Sequence, residues 1–219
     1  MSLPQPFLDK LEHIVPKEAL EGVSKSFSAP KAVSFRINPL KAGTASVRAE
    51  LEGLGFTLKP VTWYDGAFLI DSALKKALTE TDAFYGGRIY IQNLSSMIAP
   101  LLLRPEPDQT VLDLAAAPGG KTLQLAGMMQ NRGWLSAVEP VKDRFFRLRS
   151  NLQNQGVEIA HTYMTDGRSV GKKCPQMFDK VLLDAPCSSE SRFKSYEPKT
   201  YGYWSERKVK ETSKVQRRL

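Results

Sequence analysis

The sequence feature that most constrains the fold is a stretch of small residues, DLAAAPGGKT at positions 113–122, which lies between an apolar run and a helix-like segment. The apolar run has the pattern of a strand, so the order is strand, loop, helix. Because positions 115–120 carry no bulky side chain, a ligand can lie against the backbone there. The first amides of the following helix supply hydrogen-bond donors and a partial positive charge. The stretch therefore predicts a ligand-binding loop.

Two kinds of nucleotide site are compatible with this loop. Positions 120–122 match the end of the phosphate-binding motif G-x-x-x-x-G-K-[ST], and positions 181–184 are typical of an acidic strand that holds Mg²⁺. However, Ala115 stands where that motif has glycine, and Pro118 lacks an amide donor. In a phosphate site, the carboxylate of Asp113 would lie beside the negatively charged phosphates. In a site for an amino-acid cofactor, the same carboxylate can hold the ammonium group. We favour a Rossmann-like loop for an adenosine cofactor over an ATPase loop or a purely structural turn.

Acidic residues lie at or near the ends of four predicted strands. Residues 108–219 alternate strand-like and helix-like segments, which predicts βαβ units and a parallel sheet. Ligands of such sheets bind beyond the carboxyl ends of the strands. The acids near these ends are Asp113, Glu139, Asp166 and Asp184. Because Glu139 follows the second strand of this region, it has the position of a carboxylate that binds a ribose diol.

The N-terminal part of the chain has a different, α+β pattern. A short amphipathic helix opens the chain, and residues 33–38 alternate like a half-buried strand. We predict an N-terminal α+β RNA-binding domain at residues 1–95 and a Rossmann-like domain at residues 96–219. Arg36 and Arg88 lie beside predicted strands and are candidate phosphate contacts, although isolated arginines of this kind are more often solvated.

Composition limits the class of protein and its partners. The chain has 219 residues, of which 42% are hydrophobic. It contains no run of about 18 apolar residues, so we expect no membrane span. The N-terminus lacks the pattern of a signal peptide, so we expect a cytoplasmic protein. Cys174 and Cys187 form no disulfide or zinc pattern, and we expect no metal. We also expect a monomer. The net charge of +8 favours RNA as a partner, and a basic surface without such a partner is the alternative.

The segment 188–219 combines cations with aromatic side chains. Cations can contact phosphates and rings can stack on bases, which favours RNA binding. A solvated helix with Trp204 and Val209 packed inward is the alternative. The cations of this segment are Arg192, Lys194, Lys199, Arg207, Lys208, Lys210, Lys214, Arg217 and Arg218. The interleaved aromatic residues are Tyr196, Tyr201, Tyr203 and Trp204.

Positions 113–122 together with 184–188 (DAPCS) resemble the RNA (cytosine-5) methyltransferases of the Nop/Nol/Sun family. Residues 33–38 and 91–97 are similar to two further signatures of that family, and the resemblance is closest to its bacterial ribosomal-RNA members. It implies a class I, Rossmann-like methyltransferase sheet, an RNA-recognition-like N-terminal domain and the cofactor S-adenosyl-L-methionine. The implied reaction is methylation of carbon-5 of a cytosine in RNA, with ribosomal RNA as the expected substrate.

The resemblance also implies roles for particular residues. Glu139 would bind the ribose, and Arg144 and Asp166 would make further cofactor contacts. Asp184 would lie where cofactor and cytosine meet. Cys187 matches a cysteine implicated in product release, and its attack on the cytosine is the alternative. The implied cofactor loop comprises Ala115, Ala116, Ala117, Pro118, Gly119, Gly120 and Lys121.

The implied mechanism is covalent: a thiolate adds to carbon-6 of cytosine, and carbon-5 then takes the methyl group from the sulfonium of the cofactor. A base then removes the carbon-5 proton, and the thiolate is expelled. The chain departs from the family pattern in two ways. Positions 188–191 read Ser-Ser-Glu-Ser instead of Ser-Gly-Glu-Gly, and the second cysteine, the family's nucleophile, has no counterpart before Leu219. We therefore expect an incomplete sheet that ends on the strand at 181–183, a natural protein that continues past Leu219, and no activity from these residues alone. A catalytically inactive RNA-binding protein that retains the cofactor fold is the alternative.

Overall fold

The computed structural model describes residues 3–219, so Met1 and Ser2, on which the predicted absence of a signal peptide partly rests, lie outside the described residues. The helices are α1 (Gln5–Ile14), α2 (Lys17–Ser26), α3 (Thr44–Gly53), α4 (Lys75–Thr79), α5 (Asp82–Tyr85), α6 (Leu94–Leu103), α7 (Gly120–Met128), α8 (Lys142–Asn154), α9 (Val170–Lys173) and α10 (Glu206–Gln216). The strands are β1 (Val33–Ile37), β2 (Lys59–Pro60), β3 (Ala67–Ile70), β4 (Ile89–Ile91), β5 (Thr110–Asp113), β6 (Trp134–Val138), β7 (Ala160–Tyr163) and β8 (Lys180–Leu182). No described helix has both the length and the apolar character needed to cross a membrane.

Contacts divide the chain into two compact units. The helical unit contains the chain up to Lys31 together with Pro186–Arg218, and the α/β unit contains Ala32–Ala185 with Leu219. Both sheets belong to the α/β unit. The domain boundary between residues 95 and 96 stays a prediction.

The helical unit packs α1, α2 and α10 around aromatic side chains. The ring of Phe7 makes edge contacts with Phe27, Phe193 and Trp204, at centroid distances of 5.5, 5.0 and 5.7 Å. Trp204 is buried and its Nε1 donates to Oε1 of Glu190 over 2.8 Å. Edge contacts of this kind stabilise a core beyond the effect of burial alone. The inward packing of Trp204, one of the two interpretations of this segment, is therefore confirmed.

The α/β unit begins with a small antiparallel sheet in the order β2-β3-β1-β4. In β1, Phe35 and Ile37 alternate with polar residues and pack into a core with Leu51 of α3 and Phe68 of β3. The register pairs Phe35 with Phe68 on one side and with Ile91 on the other. The alternation in residues 33–38 thus predicts the position of β1 correctly, because a strand turns successive side chains to opposite faces. The predicted half-burial is wrong, since Ser34 and Arg36 of the polar face are buried as well.

The second sheet is parallel, with the order β7-β6-β5-β8. This confirms the predicted α/β fold with a Rossmann-like parallel sheet. Its core contains Leu125 of α7 and Leu135 of β6, and α8 buries Phe145, Leu148 and Leu152. The carboxyl ends of β5, β6, β7 and β8 lie at one edge, since all four strands run in the same direction.

Strand β8 lies at the edge of this sheet, as predicted. Within the described residues it pairs only with β5. Val181 and Leu183 are exposed, whereas Leu182 between them is buried. The strand is shorter than the pattern at 178–184 indicates, so Asp184 follows it in a loop rather than ending it.

Candidate functional site

The loop between β5 and α7 requires glycine at its end. Gly119 has φ +110°, and a Cβ at this position would lie 3.2 Å from Cδ1 of Leu148. A Cβ on Gly120 would lie 2.9 Å from Cε1 of Tyr90, which is closer than side chains normally approach. The amide of Ala116 donates to the carbonyl of Val138 over 2.9 Å and so attaches the loop to β6. In the described part of the chain, no side chain caps the N-terminus of α7. Its first amides are thus available to an anionic ligand group.

Asp113 is a buried acid at the start of this loop. It is 1% exposed, and its Oδ2 accepts a hydrogen bond from Oγ1 of Thr122 at 2.7 Å. Its Oδ1 has no hydrogen-bond partner among the described residues. Burial raises the pKa of Asp113 from 3.8 to about 6, against the opposing effects of the Thr122 hydrogen bond, the positive charge of Lys121 and the nearby amide of Ala115. A buried polar atom without a hydrogen-bond partner costs free energy, and a cationic donor bound at Oδ1 would remove this cost.

Glu139 follows β6 and is connected to the loop through Arg144. The glutamate is 1% exposed, and its Oε1 accepts a hydrogen bond from the amide of Val141 at 2.9 Å. Nη1 of Arg144 lies 3.4 Å from Oε2, and Nη2 of the same guanidinium donates to the carbonyl of Ala117 over 2.8 Å. The predicted residues Glu139, Arg144 and Ala117 are therefore brought together. Oε2 is the oxygen that a ribose could share with Arg144.

Asp184 is paired with Lys121, a contact that the sequence analysis did not predict. Nζ of Lys121 lies 2.6 Å from Oδ2 of Asp184, and the lysine is largely buried whereas the aspartate is exposed. The pair joins the start of α7 to the loop after β8. The only signal for it in the sequence was that both residues follow strands of one parallel sheet, and their side chains can therefore meet at its edge.

The remaining predicted site residues are placed differently. Asp166 follows β7, and its carboxylate accepts hydrogen bonds from Nε of Arg168 at 2.9 and 3.0 Å, which lowers its pKa. Cys187 is exposed and belongs to the helical unit, where its Sγ lies 3.8 Å from Oγ of Ser189. The structure does not test the roles predicted for these two residues.

Neither arginine proposed as a phosphate contact lies free on the surface. Arg88 makes a two-pronged ion pair with Glu50, including an Nη2–Oε1 distance of 2.8 Å. Arg36 is 1% exposed and donates to the carbonyl of Gly120 over 3.0 Å. Both the solvated interpretation and the phosphate-contact interpretation of Arg36 are therefore wrong, because β1 turns this side chain toward the start of α7.

Comparison with known proteins identifies the family. Residues 100–219, more than half of the chain, match the family model of the 16S rRNA methyltransferase RsmB/F. The chain belongs to this family. Residues 3–94 match the N-terminal domain of the 16S rRNA methyltransferase RsmF. The model describes a family of 16S rRNA methyltransferases, so the resemblance to a family of RNA methyltransferases is confirmed, and the ATPase interpretation of the loop loses its support.

Curated relatives extend the match over nearly the whole chain. The ribosomal RNA small subunit methyltransferase F of Vibrio parahaemolyticus is 36% identical over 99% of this chain and 46% of the relative. The protein of the same name from Shewanella loihica is 34% identical over 100% of the chain and 46% of the relative. The chain spans about half the length of these members of the RsmB/F family.

Solved structures show the same fold. A methyltransferase homologue from Pyrococcus horikoshii is 31% identical with a TM-score of 0.79, and the match covers 99% of this chain and 72% of that protein. NSun6 from Pyrococcus horikoshii, 18% identical, has a TM-score of 0.85 over 99% of this chain and 78% of its own. The second comparison supports the fold alone.

Proposed function

We propose that this chain binds S-adenosylmethionine and belongs to an enzyme that methylates carbon-5 of a cytosine in ribosomal RNA. The observation that carries the proposal is Asp113, a buried carboxylate beside the N-terminus of α7. Among residues 3–219, one of its oxygens has no hydrogen-bond partner and no side chain caps that helix. A zwitterionic amino-acid group needs both an anion and a cluster of donors, and these two features supply them. The names of the relatives, which are methyltransferases of ribosomal RNA, support the substrate class.

We assign residues in and around this loop to successive parts of the cofactor. Asp113 would hold the ammonium and the amides at the start of α7 the carboxylate, while the backbone of residues 115–121 contacts the rest of the amino-acid part. Oε2 of Glu139 would accept hydrogen bonds from the ribose hydroxyls, with Arg144 aligning the carboxylate. Asp166 would accept from the amino group of the base. The bound cofactor supplies an electrophilic methyl group.

Asp184 is proposed to face the target cytosine. Its carboxylate is exposed but is held by Lys121, so it has a defined position without being removed from water. An acceptor of this kind can bind the amino edge of a cytosine that has left its base stack. The role of Cys187 in product release rests on the family resemblance. Residues 1–95 are proposed to contact RNA and residues 96–219 to carry the cofactor site.

Calorimetry with two ligands tests the cofactor part of this proposal. We expect the purified protein to bind S-adenosylmethionine and not ATP, because Pro118 and Asp113 disfavour phosphates in the loop. Binding of ATP without S-adenosylmethionine would contradict the proposal. Bisulfite sequencing of ribosomal RNA from a strain without the gene tests the substrate: a cytosine that becomes unprotected supports it, and an unchanged pattern argues for an RNA-binding protein without chemistry.

Helix α10 is proposed to contribute to RNA binding through its exposed cations. Tyr201 and Trp204 are buried in the helical unit and cannot stack on bases, whereas Tyr196 and Tyr203 are exposed. Within α10 itself, the cations would carry the effect. Exposed lysines of α10 without an ion pair in the described part of the chain are Lys208, Lys210 and Lys214. We expect their replacement by glutamine to reduce the salt dependence of RNA affinity, by about 0.7 in log–log slope for each lost phosphate contact.

Filter binding to a single-stranded RNA at several salt concentrations measures this slope. The matched control neutralises three exposed cations outside both α10 and residues 1–95, at Arg149, Lys172 and Lys173. A slope that is equal in the α10 variant and in the wild type excludes this helix from the RNA-binding surface.

A further inference from the structure

The polar face of β1 is buried as completely as its apolar face. Ser34, Arg36 and Asn38 alternate with the core residues Phe35 and Ile37, and all of them are buried. Oγ of Ser34 donates to the carbonyl of Gln92, over 2.6 Å, and Nδ2 of Asn38 donates to the carbonyl of Gln155, over 2.8 Å. A strand of a small sheet usually turns its polar face to water. In this protein that face instead contacts the segments around the parallel sheet.

Arg36 is the central side chain of this face, and its hydrogen-bond partners are uncharged. Nε donates to Oε1 of Gln92 over 2.9 Å, Nη2 donates to the carbonyl of Gly120 over 3.0 Å, and the guanidinium lies 5.5 Å from the ring centre of Tyr90. Within residues 3–219, no carboxylate is paired with it. Burial lowers the pKa of Arg36, but an arginine stays protonated at neutral pH. The α/β unit therefore contains a buried cation whose charge is not balanced by an acid.

The carbonyl that Arg36 holds belongs to the first residue of α7. The peptide group of this carbonyl also contains the amide of Lys121, one of the amides assigned to the cofactor carboxylate. A hydrogen bond to the carbonyl polarises the peptide group and makes its N–H a stronger donor. Tyr90 lies against the same turn, since a Cβ on Gly120 would lie 2.9 Å from its ring. The first turn of α7 is thus supported by the small sheet.

We propose that Arg36 is a positioning residue for the amino-acid end of the cofactor. It fixes the first turn of α7 through the carbonyl of Gly120, and it places a positive charge behind the amides that receive the carboxylate. In this arrangement the cofactor's carboxylate is the anion that balances the buried guanidinium. The inference rests on the proposed function, because it requires S-adenosylmethionine at this loop.

Affinities for two ligands test this role. S-adenosylmethionine carries the amino-acid group, and 5′-methylthioadenosine lacks it. We expect Arg36→Met to lower the affinity for the first about tenfold and to change that for the second less than about twofold, within the range of effects that residues without ligand contact have on binding. Arg36→Lys, which keeps the charge, should restore part of the loss. Arg88→Met removes an ion-paired arginine immediately before β4 of the same small sheet and should leave the ratio of the two affinities unchanged.

The ratio separates positioning from folding, because partial unfolding lowers both affinities equally. Equal losses for the two ligands in Arg36→Met would therefore overturn the proposal. Hydrogen exchange in the ligand-free protein is the second measurement: amides in the first turn of α7 should exchange faster in Arg36→Met, while those of β6 stay unchanged. If the wild type binds neither ligand, the proposed function fails. Independently of ligand binding, unaltered exchange of the α7 amides in Arg36→Met would overturn the role of Arg36.

Discussion

Replacement of Asp113 by asparagine is expected to stabilise the ligand-free protein at neutral pH and to weaken its binding of S-adenosylmethionine. Burial raises the pKa of Asp113 from 3.8 to about 6. Ionisation of Asp113 at neutral pH therefore lowers the free energy of unfolding by up to about 3 kcal/mol. Asparagine avoids this cost and still accepts the hydrogen bond from Thr122. It cannot hold an ammonium by charge, so the affinity for the cofactor should fall at least about tenfold.

The stabilisation by Asp113→Asn should appear only as the pH rises. The folded protein keeps the Asp113 proton up to a higher pH than the unfolded chain does, so the wild type loses stability relative to the variant between pH 3.8 and about 6. Below this range the difference disappears, and above it the full difference is present. Urea unfolding across this range measures it. The cofactor affinity of the wild type should rise over the same pH range, because the carboxylate becomes ionised.

Asp166→Asn is the matched control for stability. Hydrogen bonds from Arg168 lower the pKa of Asp166, so this replacement should destabilise the protein at neutral pH, and the effect should diminish as the pH falls through the lowered pKa. A stability difference for Asp113→Asn that is independent of pH would show that Asp113 is not the buried acid described above.

Replacement of Glu139 by alanine is expected to lower the affinity for S-adenosylmethionine at least about tenfold. Hydrogen bonds from the ribose to a carboxylate contribute about 1.5–3 kcal/mol. The affinity for 5′-methylthioadenosine should fall by the same factor, because both ligands carry the ribose. An equal loss for both ligands distinguishes Glu139 from Asp113 and Arg36. Replacement of Asp113 or Arg36 should lower mainly the affinity for S-adenosylmethionine, the ligand with the amino-acid group. Titration calorimetry with both ligands measures the two losses.

Two further variants make the test of Glu139 specific. Glu139→Gln keeps an oxygen for the amide of Val141 but has no charge, so it separates the ribose contact from the local structure at the start of α8. Glu158→Ala, which removes an exposed acid near β7, should leave both affinities unchanged. An unaltered affinity in folded Glu139→Ala would rule out the ribose assignment.

Local patterns in the sequence were sufficient for the architecture around the site. The small residues at 115–120 follow an apolar strand and precede a helix, and this order alone places a ligand loop at the end of β5. The alternation of strands and helices after residue 108 predicts parallel strands, whose carboxyl ends share one edge. The acids Asp113 and Glu139 could therefore be assigned to that edge from the sequence. These inferences succeed because each depends on residues adjacent in the chain.

The sequence by itself thus determined the order of strand, loop and helix, the family and the candidate cofactor residues. Contacts between residues distant in the chain were decided only by the tertiary structure. Alternation in β1 shows that Arg36 and Phe35 face opposite ways, but not that Gly120, 84 residues later, covers the arginine. The pairing of Lys121 with Asp184 and the raised pKa of Asp113 likewise depend on how the loop is enclosed. Burial and charge balance are properties of the packed chain, because both are set by side chains that the fold brings together from separate segments.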